Sequence, residues 1–323
     1  MDSAKRGQQW LDRHHDMRTG ERADEVEFRA LKEGFSSLSE GLRDEKWTGV
    51  TADENDFSVG ERWHEESEVS DSQNAELYEE LKRRRDQLGV SWPFHLDGMT
   101  LRHLRKSPSL IYELCLCITR ARSITQKPYN RLPVDFEEVS LDLLLHWLGG
   151  SAQGLRTGWP RSSGLPKRCK ELFTHLHQKT GDRYEWRWDP DPDLEEDPDP
   201  EYLKEGKLDL LAWLKMPTSH GHVYFAGQCA CGSNADMEDK ARELTHSGIT
   251  KWVKPPSWVP FVRCFFVPHV LVEARLRDII REGNGNATFD RARLALLAQT
   301  LPTQKAESFR KKLQSAVDLV LSD

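Results

Sequence analysis

Three residues between positions 207 and 240 have the types and spacing of a phosphodiester-cleaving centre. Asp209 stands inside the apolar run Leu208 to Leu214, Gln228 follows the apolar run Val223 to Ala226, and Lys240 lies in the polar helical stretch beyond. A carboxylate inside an apolar strand needs compensation, which a bound cation supplies. Two neighbouring short strands, one carrying a carboxylate and the next a polar oxygen, are suited to Mg²⁺ (or Mn²⁺). The metal would lower the pKa of a bound water for in-line attack and neutralise charge developing on the phosphate. Glu137, at the start of the apolar segment Phe136 to Leu148, offers a second carboxylate, with Glu138 beside it and Glu205 ahead of Gly206.

Taken singly, each residue has a plainer explanation. Glutamate is favourable in a first helical turn, Gln228 can complete backbone hydrogen bonds as a buried amide, and a helix lysine is usually solvated. Asp209 is the strongest pick, because aspartate is disfavoured within a strand. His220-Gly-His222 and Cys229-Ala-Cys231 also pair metal-ligand types, but with one intervening residue instead of the usual two to four of a zinc site.

The elements that would position these groups can be traced along the chain. Asp24–Leu42 has helical spacing, and Asn74 to Leu88 is a salt-bridged helix closed by Gly89 whose Arg83-Arg84-Arg85 run reads as a solvated end. Ser107–Ile124, Phe136–Leu148 (stopped by Gly149-Gly150) and Lys167–Lys179 predict helices. Trp188 to Pro200 alternates Asp and Pro and predicts an exposed acidic loop. Strands are expected at 208–214, 223–230 and 260–267, with helices at 236–246, 289–301 and 306–321. The fold expected is α/β, with a charged helical N-terminal extension over 1–95 that contacts a partner or forms a dimer, and an α/β domain over 96–323.

The chain has 323 residues, 37% of them hydrophobic, and a formal net charge of −7. No global basic field advertises nucleic acid, so DNA contact would need a local basic rim. Arg120, Arg122, Lys167, Arg168, Lys170 and Lys251 are the candidates, with Trp252 and the segment Tyr184 to Trp188 as stacking surfaces. Six cysteines without a CxxC pair, no apolar stretch near the ~20 residues of a membrane span and no apolar leader segment predict a reduced, cytoplasmic protein with no membrane contact. No GxxxxGK[ST] sequence is present, so nucleotide-driven translocation would come from a partner.

Together, Phe136-Glu137 opening an apolar helix, Asp209 in one strand and Gln228-x-Ala230 in the next resemble the PD-(D/E)xK, restriction-endonuclease-like nuclease superfamily. The Phe-Glu-x-x-Val pattern at 136–139 is similar to the opening helix of its Mrr-like branch. The resemblance spans roughly residues 130–270. It implies a mixed sheet core flanked by helices, Mg²⁺ held by Glu137, Asp209 and Gln228, and a DNA endonuclease in bacterial restriction or anti-phage defence. It also implies a lysine at 230, where this chain has Ala. Lys240 on the following helix is the expected substitute, acting on the attacking water or the transition state. The alternative is a degenerate nuclease fold that binds DNA or scaffolds a partner.

Overall fold

The computed structural model describes residues 3–39, 59–162, 164–181, 183–192, 208–217, 221–232, 237–282 and 287–323. The fold is mixed α/β. Long helices α1 (Ser3–Glu33) and α2 (Val59–Leu88) come first, with a small antiparallel sheet of β1 (Phe35–Ser37), β2 (Phe94–Asp97) and β3 (Thr100–His103) in the order β1-β3-β2. Next come α3 (Ile111–Arg120), α4 (Leu132–Leu148), β4 (Ala152–Arg156), α5 (Cys169–Thr180), β5 (Leu210–Leu214) and β6 (Val223–Cys229). The chain continues through α6 (Met237–Glu243), α7 (His246–Thr250), β7 (Val262–Phe266), α8 (Glu273–Glu282), β8 (Ala287–Phe289), α9 (Arg291–Gln299) and α10 (Thr303–Leu321).

The main sheet has the order β4-β5-β6-β7-β8. Its first three strands form an antiparallel meander, and β7 and β8 add in parallel after helical crossovers. Strands β5 and β6 lie in its interior and are buried on both faces, so they read as continuous apolar runs instead of alternating ones. Leu210, Ala212 and Phe225 face the core shared with α3, α4, α9 and α10. Leu211, Trp213, Tyr224 and Ala226 face an aromatic cluster with Phe173 and Trp186, and farther along that face Ala230 packs with Met237, Ala241, Phe265 and Ile279.

Helix α4 ends where Gly149 takes φ +94°, a conformation that a side chain would disfavour; its N–H caps Leu145 and His146 carbonyls. Helix α3 starts later than Ser107, because Ser107 Oγ caps the Leu110 N–H and Leu110 is left-handed. Residues on both sides of position 95 contribute to one core: Ala23, Val26, Leu77 and Leu81 belong to the cluster that holds Leu114, Leu143 and Leu294. A buried ion network lies at this junction. Arg84 donates to Asp24 (2.7 Å) and Glu27 (2.8 Å), and Arg291 donates to both Asp24 oxygens (2.9 and 2.8 Å). Trp92 and Tyr112 also donate to Glu27. The expectation of a solvated Arg83–Arg85 run is therefore corrected at Arg84, which faces α1 and is 1% exposed.

Candidate functional site

Asp209 sits immediately before β5 and brackets Gln228 on β6. Its N–H donates to Gly227 O (2.9 Å), and its carboxylate accepts from the Cys229 N–H (2.7 Å). Its own carbonyl accepts from Thr157 (2.8 Å) and Gly158 (2.9 Å), so the end of β4 is fastened to the same point. The carboxylate, expected within the strand but lying just ahead of it, thus obtains a backbone hydrogen bond as part of its compensation.

Glu137 reaches this point from α4. Arg156, the last residue of β4, donates to Glu137 Oε2 at 2.7 Å, and both side chains are buried. The approach is close enough that a Cβ on Gly158 would lie 2.3 Å from that oxygen, so a side chain at 158 would displace the carboxylate from this position. Cys229 feels the charge of both carboxylates. Burial raises its thiol pKa most, and the negative charges of Asp209 and then Glu137 raise it further. Cys231 is raised by burial first and by both carboxylates, with the Lys240 charge opposing.

Gln228 turns the other way. Its Nε2 donates to Glu243 Oε2 on α6 (2.9 Å), while Cys229 faces α4 and Ser140. The structure therefore places the Asp209 carboxylate at the edge of β6, by the Cys229 N–H, and points the Gln228 side chain to the opposite face of the sheet from Glu137. Strand alternation explains the difference: neighbouring positions 228 and 229 must take opposite faces. Gln228 Oε1 is buried and, among the described residues, has no hydrogen-bond partner. Lys240 lies on the Gln228 face, with its Nζ 2.6 Å from where a Gly232 Cβ would stand. Ala230 is on that face too, packed against Met237 and Ala241.

These donors fit a hard cation in part. Asp209 and the unpartnered Gln228 oxygen have suitable chemistry, whereas Glu137 already has an arginine partner. Among the described residues, no group of three or more His, Cys, Asp or Glu side chains is arranged to hold a metal. His222 is fully buried; its Nδ1 accepts from Met216 N and its Nε2 pairs with Thr180 O, so both ring nitrogens serve the fold. His220, Glu205 and residues 193–200 of the acidic segment lie outside the described residues.

The expected basic rim is dispersed. Arg120 pairs with Glu25 on α1, and Trp252 is buried against Trp188, with centroids 5.8 Å apart. That removes Trp252 as a stacking surface. Arg122, Lys167, Arg168, Lys170 and Lys251 are exposed. Sequence reasoning missed Arg156, because β4 with its Gln-Gly interior lacks an apolar run. It also missed Glu243, although its spacing of three from Lys240 places it near that residue on α6.

The elements and site geometry define a mixed α/β protein with a buried acid–base cluster at the junction of β4, β5 and β6. Compared with known protein families, curated proteins and solved structures, the chain shows no match. No described helix is long and apolar enough to cross a membrane.

Proposed function

We propose that the chain is a metal-dependent endodeoxyribonuclease of the PD-(D/E)xK type, serving bacterial restriction or anti-phage defence. The observation that carries this reading is the bracketing of Gln228, whose buried oxygen has no partner among the described residues, by the backbone and carboxylate of Asp209. It accords with the order the resemblance implies: a helix with Glu137, then Asp209, then Gln228 on the next strand. Mg²⁺ held by Asp209 and Gln228 would supply Lewis acidity and a more acidic bound water.

The remaining work falls to the chain's own side chains. Asp209 presents a fixed negative charge oriented by the Cys229 N–H. Glu243 holds the Gln228 amide by its Nε2, leaving the amide oxygen to accept. The Lys240 ammonium at Gly232 lies on the face of Ala230, where the superfamily's lysine would project, and supplies positive charge for a phosphate. Glu137, tied to Arg156, fixes the β4 end against α4 and acts as a positioning residue.

A second reading, a degenerate nuclease fold that binds DNA or scaffolds a partner, is favoured by Ala230 being packed beneath α6 and by the neutralising Arg156 beside Glu137. Under either reading the N-terminal helices are the proposed surface for a partner subunit or a second copy. Plasmid and linear DNA cleavage in Mg²⁺, Mn²⁺ or EDTA separates the two. Metal-dependent cutting abolished in Asp209→Ala and strongly reduced in Lys240→Ala supports the nuclease. DNA binding by wild type without cutting, under every metal condition, supports the scaffold.

A further inference from the structure

Beyond β4 the chain makes a short loop that holds an indole in solvent beside the candidate site. Trp159 is 55% exposed, although the residues around it are firmly tied. Thr157 and Gly158 donate to the Asp209 carbonyl, and Arg156 donates to the carbonyls of Gly158 and Pro160 and to Ser162 Oγ. Arg161 bonds back to the Pro166 and Lys167 carbonyls and places its guanidinium 5.9 Å from the centre of the Trp159 ring. Lys167, Arg168 and Lys170 continue the same segment as exposed cations.

A single exposed apolar residue ordinarily needs no explanation. This one is held on a braced loop, under a cation, one residue from a glycine whose N–H is bonded to Asp209. A rigid π-face flanked by positive charge is the recognition chemistry of an unpaired nucleotide: the base stacks and the phosphates meet the cations. Bases within a duplex are already stacked, so the ligand must present a single-stranded or extruded base.

We infer that Trp159 is a stacking platform for an unpaired DNA base, with Arg161 and the Lys167–Lys170 segment contacting the adjoining backbone. The inference rests on the nuclease reading for the identity of the polymer and adds single-strand preference to it. Because Trp159 is not one of the residues proposed to hold the metal, its role is measurable with the chemistry switched off.

The test is fluorescence anisotropy of labelled oligodeoxythymidylate, and of a duplex of equal length, titrated with the full chain in EDTA. Wild type is compared with Trp159→Ala and Trp159→Phe. Expected is tighter binding of the single strand by wild type and a loss of roughly 5- to 150-fold in Trp159→Ala. Trp159→Phe, which keeps a π-face, should retain most of the affinity. A smaller change is expected for the duplex, and thermal melting should be unchanged because the indole is exposed. Equal single-strand binding by wild type and Trp159→Ala would overturn the inference and assign the indole to a protein surface instead. Absence of single-strand binding by wild type would overturn it as well. The nuclease reading stands or falls separately on metal-dependent cleavage lost in Asp209→Ala.

Discussion

Replacing Arg291 by methionine tests how the N-terminal helices are joined to the body. The guanidinium is fully buried and carries two bonds to Asp24, one to Pro268 O (2.9 Å) and one to Thr119 Oγ1 (3.1 Å). Methionine fills much of the volume but leaves Asp24 and Glu27 sharing Arg84 alone. Breaking a buried pair from one side costs about 3–5 kcal/mol, because the remaining charge stays desolvated. With roughly 2.1 cal/mol/K of unfolding entropy per residue, a 323-residue chain loses about 4–7 °C of Tm. The loss should also depend on pH. Burial already raises the Glu27 pKa above its ordinary value, and removing a positive charge raises it further. A carboxyl with a raised folded-state pKa contributes stability at low pH and loses it as pH rises through that value. Urea titrations of wild type and variant should therefore give a larger difference at pH 8 than at pH 5. A loss below about 1 kcal/mol, or one independent of pH, would refute the argument that this network joins the helices.

Two further outcomes follow from single side chains. His269 is buried, which lowers its pKa to about 4; its Nε2 contacts Gly232 O at 2.9 Å. Its unfolded form takes a proton near pH 6.5 while the folded form refuses it until about pH 4, so stability falls as pH drops from the first value to the second, by up to about 3 kcal/mol. His269→Gln should flatten this part of the stability–pH curve, and an unchanged slope would reject the assignment. In Gly158→Ala the new methyl would lie 2.3 Å from Glu137 Oε2 and push the carboxylate off Arg156. The expected loss is about 1–3 kcal/mol in urea, and the same Gly158→Ala step should cost much less when made in a Glu137→Ala background, where the carboxylate is gone; an equal increment in the two backgrounds would place the strain elsewhere.

Elements with strong local signals were legible in the sequence. The end of α2 at Leu88, the Gly149 stop of α4 and the apolar cores of β5, β6 and β7 fall where Gly residues and hydrophobic runs place them. Strand β4 was invisible because Ala152–Arg156 has neither alternation nor an apolar run; it becomes a strand by pairing with Leu210–Leu214. Helix α8 was missed for its charge, and the hairpin of β2 and β3 for its brevity. The burial of Arg84 was equally hidden, since its partners Asp24, Glu27 and Arg291 come from distant parts of the chain.

The candidate site was half legible for a related reason. A carboxylate in an apolar run is a local anomaly, so Asp209 stood out without tertiary information. The faces of the other groups depend on packing as well as period. Period two puts Gln228 and Ala230 on one side, but the chain alone does not show whether α4 or α6 covers it. With α6 there, Gln228 meets Glu243 and Lys240 approaches Gly232, while Glu137 meets Arg156 across the sheet. The two faces thus divide the work physically. Glu137 and Arg156 brace the β4 loop that carries Trp159, and under the proposed nuclease reading Gln228 and Lys240 would offer the oxygen and the positive charge. Asp209 connects them, because its main chain holds the loop and its carboxylate holds β6. Substituting Asp209 by Asn keeps much of that backbone geometry while removing the charge, so it separates loss of chemistry from loss of structure more cleanly than alanine does.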